Sequence, residues 1–234
     1  MNREEKLLQN YREVQASLSE AARKSGRNPG EITLLAVTKY ANDNDVLFFL
    51  ERGLILHVGE SRLQQAQKRW GNPLFARFNT VKHFIGHLQK NKAAKAAELF
   101  DFIDSLDDIQ TARILNEHTP KGKILRVLVQ VKLTQRQTQS GLPLQEARQL
   151  VKELRVFPRL KVCGYMAIAP QGAAPDVLRE QFAALKQVFD ADFPPSQERY
   201  LSLGMSEDFV IAVEEGSSLP RIGSRLFAEN LEEV

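Results

Sequence analysis
The sequence predicts a (β/α)8 barrel with one extra helix at its start. Eight short apolar or β-branched runs recur along the 234 residues, and helical stretches separate them. Strands that alternate with helices imply βαβ units and a parallel sheet. Eight such units in about 200 residues match the lower size limit of a closed barrel. The third observation concerns the first strand, which ends in "VTKYAND" without a glycine. An open doubly wound sheet that bound a dinucleotide would carry a Gly-rich turn there.

The elements follow in order. Leu7, Leu8, Tyr11, Val14, Leu18 and Ala21 repeat at helical spacing, and "SGRNPG" ends the pattern, so residues 3–25 form the extra helix. Strands are expected in the runs 32–38, 54–59, 81–86, 100–106, 126–133, 161–168, 199–205 and 219–227. Helices are expected at 42–52, 60–70, 88–98, 107–118, 143–156, 176–191 and 206–216. No linker or low-complexity tract divides the chain, so 1–234 reads as a single domain.

Composition narrows the function classes. Hydrophobic residues at 43% and charged residues at 26% are ordinary for a globular protein. A net charge of +3 is too small to imply nucleic acid, and the basic stretch "HLQKNKAAKAAE" interleaves no aromatics with its lysines. The single Cys163 leaves no internal disulfide and fits a reducing cytoplasm. The charged start "MNREEKLLQNYREV" does not read as a signal peptide, and no apolar run is long enough to span a bilayer.

Barrel active sites gather at the C-terminal ends of the strands. The first strand ends in Lys39, the second in Gly59–Ser61, the seventh in Leu203–Ser206, and the eighth carries Arg221, Gly223 and Ser224. Ser206 stands where a strand gives way to a helix, so it either caps that helix or belongs to an anion site with free backbone N–H groups. Its pairing with "RIGS" on the final strand favours the anion, because loops after strands seven and eight commonly cradle phosphate in this fold. Lys39 alone reads as a strand-end lysine that keeps its charge in water. Beside a phosphate cradle its amine gains a second reading, as a nucleophile for an aldehyde. Pyridoxal phosphate (PLP) combines an aldehyde, a phosphate and a flat ring, and Arg221 could meet its pyridine nitrogen.

The stretches "LLAVTK", "HFIGHLQKNK", "SLGMSEDF" and "GSSLPRIGSRLF" together resemble the pyridoxal-phosphate homeostasis protein family, whose members look like the barrel domain of alanine racemase standing alone. The pattern GMSxDxxxAxxxGSxxxRIG spans Gly204 to Gly223, and the resemblance runs from about residue 5 to residue 230. It implies that Lys39 carries PLP covalently as a Schiff base. It implies that Ser206, Gly223 and Ser224 hold the phosphate, that Arg221 faces the pyridine nitrogen, and that His83 and Met166 line the pocket. Ser61 stands at a cofactor contact on strand two where the family usually has asparagine. The implied role is intracellular PLP and amino/keto acid homeostasis by a monomer without established turnover, with PLP-dependent apoenzymes as partners.

The alternative is a PLP-dependent racemase. A guanidinium donates only, so Arg221 would leave the ring nitrogen unprotonated and weaken the electron sink. Racemisation survives that, but it needs a second acid/base. Alanine racemase takes one from a further domain, and only 13 residues follow Arg221 here, so His83 or Tyr165 would have to substitute. A metal enzyme built on His57, His83, His87 and Asp107 is a third reading. It lacks the single helical face that a zinc helix uses, so no metal is expected.

Overall fold
The computed structural model describes residues 2–134 and 140–229. Eight parallel strands form one sheet in the order β7-β6-β5-β4-β3-β2-β1-β8. They are β1 (Leu35–Val37), β2 (His57–Glu60), β3 (Val81–Phe84), β4 (Phe102–Leu106), β5 (Leu125–Lys132), β6 (Leu160–Ile168), β7 (Tyr200–Ser202) and β8 (Arg221–Ile222). The described helices are α1 (Arg3–Lys24), α2 (Asp43–Glu51), α3 (Leu63–Trp70), α4 (Pro73–Ala76), α5 (Lys90–Leu99), α6 (Ile109–His118), α7 (Leu144–Leu154), α8 (Pro175–Asp192), α9 (Phe209–Glu214) and α10 (Ser224–Phe227). The strand–helix alternation thus forms a (β/α)8 barrel.

Strands β7 and β8 meet without a regular ladder. Individual bonds close the seam instead. The Arg221 N–H donates to Gly204 O at 2.9 Å, and the Ser218 N–H donates to Leu201 O at 3.0 Å. The Ser202 Oγ hydroxyl donates to Leu219 O at 2.9 Å.

Two apolar layers result from the period-two alternation of the strands. One face supplies Leu35, Leu128, Cys163, Met166 and Leu219 to a small cluster inside the barrel. The other face meets the helices. On α7, Ala147, Leu150, Val151 and Leu154 are buried at helical spacing, and each large one contributes about 1.5–3 kcal/mol of burial.

Helix α1 has a capping box. Asn2 accepts from the Glu5 N–H, and the Glu5 carboxylate accepts from the Asn2 N–H. Its buried Asn10 donates Nδ2–H to Leu226 O (3.2 Å) and Ala228 O (3.0 Å). Arg3 donates to Phe227 O and to the Asp45 carboxylate. The extra helix therefore packs over the last turns of the barrel.

Two local features depart from the sequence expectation. The run 219–227 is a strand only at Arg221–Ile222, and the chain then turns at Gly223 into α10. A short apolar run does not distinguish a strand from a buried helical turn, and Leu226 is fully buried as part of that turn. The short helix α4 has no counterpart among the expected elements. Asn72 caps it and Pro73 opens it, which is a favourable start for a single turn.

Candidate functional site
The candidate site draws on the ends of β1, β7 and β8. Leu35 lies in the inner cluster, and alternation brings Val37 to that side, while Lys39 stands in the turn just past the strand. The Thr38 N–H still donates to Gly59 O at 3.0 Å, so the ladder runs one residue past β1. Strand β1 touches the turn after β8. A Cβ at Gly223 would stand 3.1 Å from Val37 O and 3.2 Å from Val37 Cβ, tighter than most real contacts, so glycine suits this approach. Lys39 follows Val37 by two residues. It is partly exposed, and its Nζ lies 5.0 Å from the centroid of the Tyr40 ring. Among the described residues its amine has no hydrogen bond or ion pair. It also borders a cleft of about 390 Å³ with Gln65, Lys68 and Arg69, and that cleft holds neither Ser206 nor Arg221.

The loop after β7 and the turn after β8 face one another. Ser206 is buried, and its Oγ accepts from the Arg225 N–H at 3.5 Å. It does not cap the following helix. Helix α9 begins at Phe209, and Asp208 occupies its cap position. The Asp208 carboxylate accepts from the Met205 N–H at 2.6 Å, which shapes the loop. Burial pushes that carboxyl above its ordinary value. The N–H groups of Ser206, Gly223 and Ser224 find no acceptor among the described residues. Several uncommitted amides in two adjoining loops, beside a serine hydroxyl, suit a phosphate group.

Arg221 lies beneath these loops, with 4% of its surface exposed. Its Nη1 donates to Ser202 O and Ser202 Oγ, both at 2.8 Å, and its Nη2 donates to Ala167 O at 2.9 Å. Nε–H and one Nη2 hydrogen are left to donate to a ligand. Burial pulls the guanidinium below its ordinary value, and Asp104 and Asp208 oppose that. Met166 is fully buried in the inner cluster, one residue before Ala167.

His83 is fully buried and held on both sides. Its Nδ1 lies 3.0 Å from Asp104 Oδ1, and its Nε2 lies 3.0 Å from His57 Nδ1. Its ring stacks on Phe102 with centroids 4.2 Å apart. Burial, and then His83, pull His57 down to about 4. An unfolded histidine titrates near 6.5, so between these values the unfolded chain binds more protons and stability rises with pH. Unfolding by urea should therefore become easier as pH falls from about 6.5 to about 4, by on the order of 2–3 kcal/mol. The loss through this window should be smaller in His57→Gln, and an unchanged slope would refute the assignment.

Residues 7–230 match the family described as alanine racemase, N-terminal domain. The pyridoxal phosphate homeostasis protein of Escherichia coli (strain K12) is 34% identical over 231 residues, covering 94% of this chain and 95% of its own.

The chain belongs to the pyridoxal phosphate homeostasis protein family.

The family member of Haemophilus influenzae is 33% identical and covers 92% of each chain. PipY of Synechococcus elongatus PCC7942, solved with PLP bound, is 29% identical with a TM-score of 0.77, covering 90% of this chain and 100% of its own. Alanine racemase of Clostridium difficile 630 shares the fold at 14% identity and a TM-score of 0.71, and the match covers 58% of that enzyme.

Other polar groups fall outside the cradle. Tyr165 turns away from the barrel interior. It is fully buried and its hydroxyl donates to Asp192 Oδ2 at 2.8 Å, beneath α7 and α8. Burial and this carboxylate push its phenol above its ordinary value. Ser61 follows β2, is partly exposed, and makes no side-chain hydrogen bond among the described residues. His87 is exposed beyond β3. Among the described residues no group of three or more His, Cys, Asp or Glu is placed to hold a metal ion. No described helix is long and apolar enough to cross a membrane.

Sequence reading missed Ser202 and Asp104. Strict alternation from Tyr200 and Phe102 would have placed both on the inner face. It also missed Glu60 and Arg69, whose partnership with Thr38 spans an intervening helix and leaves no spacing signal.

Proposed function
We propose that the chain is a PLP-binding carrier that holds the cofactor at the mouth of its barrel. The backbone N–H groups of Ser206, Gly223 and Ser224 would take the phosphate. Arg221 would donate to the ring nitrogen, and Met166 would pack beneath the ring. His83 would act from the Asp104–His57 chain behind it, and Ser61 would stand at the rim of β2. The Lys39 amine would form a C=N bond with the aldehyde and release water. When bound, the cofactor supplies an electron sink, and Arg221 keeps that sink weak because a guanidinium cannot give its proton to the nitrogen.

One observation carries this reading. Two loops with uncommitted amides meet through Ser206 Oγ and the Arg225 N–H, directly above a buried guanidinium with hydrogens to spare. Hydrogen bonds from backbone N–H groups to an anionic phosphate are charge-assisted and roughly twice as strong as neutral ones. Pyridoxal, which lacks the phosphate, should therefore bind about 100-fold or more weakly than PLP, a gap of ~2.7 kcal/mol. Titration followed by absorbance tests this, and equal affinities would remove the two loops from the site.

The carrier reading is favoured over a racemase by two committed side chains. Tyr165 is tied to Asp192 outside the barrel, and His83 is tied to Asp104 and His57. Both ring nitrogens of His83 and the Tyr165 hydroxyl are thus engaged within the protein, which leaves neither turned to a ligand as the second acid/base. The reading takes the whole chain as one cofactor-binding domain, a cytoplasmic monomer that takes part in PLP and amino/keto acid homeostasis and passes PLP to apoenzymes.

A further inference from the structure
Arg69 lies in the last turn of α3, on the helix side of the sheet, yet its guanidinium reaches the segment that carries Lys39. Nη1 donates to Thr38 O at 2.8 Å and Nη2 donates to Ala41 O at 2.7 Å. These two carbonyls flank the Lys39–Tyr40 dipeptide. Nε donates to Asp43 Oδ1 at 2.7 Å, which adds the first turn of α2 to the same fork. The fork has a fixed base. Glu60 is 1% exposed, and its Oε1 accepts from Arg69 Nη1 and from Thr38 Oγ1, both at 2.7 Å. Its second oxygen has no partner. Burying a carboxylate with one oxygen unpaired is costly, so the arrangement needs an offsetting gain.

Little else fixes residues 39 and 40. Neither side chain is tethered by a hydrogen bond among the described residues, and Ala41 N–H only returns to Thr38 O within the same turn. We propose that Arg69, braced by Glu60, is the positioning residue that sets Lys39 against the cradle, which rests on the reading that Lys39 takes the ligand covalently. Arg69 touches no ligand. It acts through the backbone that carries the amine. The planar fork matters here, because a lysine in its place keeps the charge but cannot hold two carbonyls and two carboxylates at fixed angles.

The test compares two ligands on the purified full chain. PLP can form the covalent link. Pyridoxine phosphate has the same ring and phosphate but an alcohol for the aldehyde, so it reads the cradle alone. Arg69→Lys should weaken PLP about tenfold, because a small misplacement of a reacting group is expensive, and should leave pyridoxine phosphate unchanged. The apo variant's melting curve gives the readout independent of ligand. Unchanged PLP affinity would overturn the proposal. So would an equal loss for both ligands, since that marks Arg69 as general scaffold. If Arg69→Lys does not fold, Glu60→Gln, which keeps an acceptor but removes the charge, carries the same comparison with the same two overturning results. Lys39→Ala separates the proposal from its premise. If that variant retains the wild-type covalent adduct, the reading of Lys39 fails, whatever Arg69 does.

Discussion
Lys39→Ala protein mixed with PLP and reduced with borohydride is expected to carry no pyridoxyl adduct, whereas the wild type should carry one, on the peptide that contains Lys39. The expectation follows from which uncommitted amine adjoins the turn after β8, since other lysines, Lys68 and Lys92 among them, are equally unpaired among the described residues. Lys123 is half-buried but donates to Ala97 O, Glu98 O and Phe100 O. Lys82 reaches Thr80 O and Asp101, and Lys161 is paired with Glu198. Lys39 has only the Tyr40 ring beside it, 5.0 Å from centroid to Nζ. It also follows Val37, which packs against Gly223 at the proposed phosphate turn. An amine that reacts must be within reach of a held aldehyde, and this proximity is worth several powers of ten in effective concentration. Mass spectrometry of the digested, reduced protein reads the outcome. An adduct of undiminished yield on Lys39→Ala, at any lysine, would sink the assignment. Pyridoxine phosphate should still bind the variant, since its cradle is untouched.

The second large effect lies away from the mouth. Gly164→Ala is expected to lower stability by ~4 kcal/mol or more, near the top of the range for single substitutions. For a chain of this size that is a fall in melting temperature of about 10 °C or more. Gly164 has φ +149°, and a Cβ there would overlap the Tyr200 carbonyl oxygen and stand 2.9 Å from the carbonyl carbon. The backbone has little room to yield. Gly164 pairs with Tyr200 in the β6–β7 ladder, and the β5–β6 register shifts just before it, between the pairs Val127–Val162 and Leu128–Gly164. That shift puts Cys163 and Met166, three residues apart, in one inner cluster. Forcing the strand straight would turn Met166 and the Ala167 carbonyl away from Arg221. Circular dichroism melts measure the effect, and a change of only a degree or two would show that the bulge is not required.

The barrel was legible because its signal is periodic. Eight apolar runs and the helices between them read directly as βαβ units, and polar residues at the ends of runs one, seven and eight marked the mouth. Lys39 and Ser206 could be proposed because each follows the end of a run, and Arg221 because the last run carries it. Boundaries were less legible where the same apolar residues serve two geometries, as in Leu226 and Phe227, which cap the barrel as a helical turn. The Asp104–His83–His57 chain and the Arg69–Glu60–Thr38 fork were not legible. Each joins residues from different strands or from a strand and a helix, so its signal exists only after the sheet has closed. Tyr165 shows the converse. A glycine bulge one residue earlier changes which face it points to, and counting by twos through the strand cannot detect the slip.

The grip of α1 on the far end of the chain has a consequence for how this protein is handled. Asn10 and Arg3 hold Leu226 O, Phe227 O and Ala228 O, the carbonyls that close the turn opened by Gly223 and Ser224. Helix α1 and the carbonyls of 226–228 are thereby one mechanical unit, and whatever frees the leading helix also slackens the proposed anion seat behind it. A protease that nicks the amino terminus, or a bulky tag fused against Arg3, would thus impair retention of the vitamin without touching any atom that meets it.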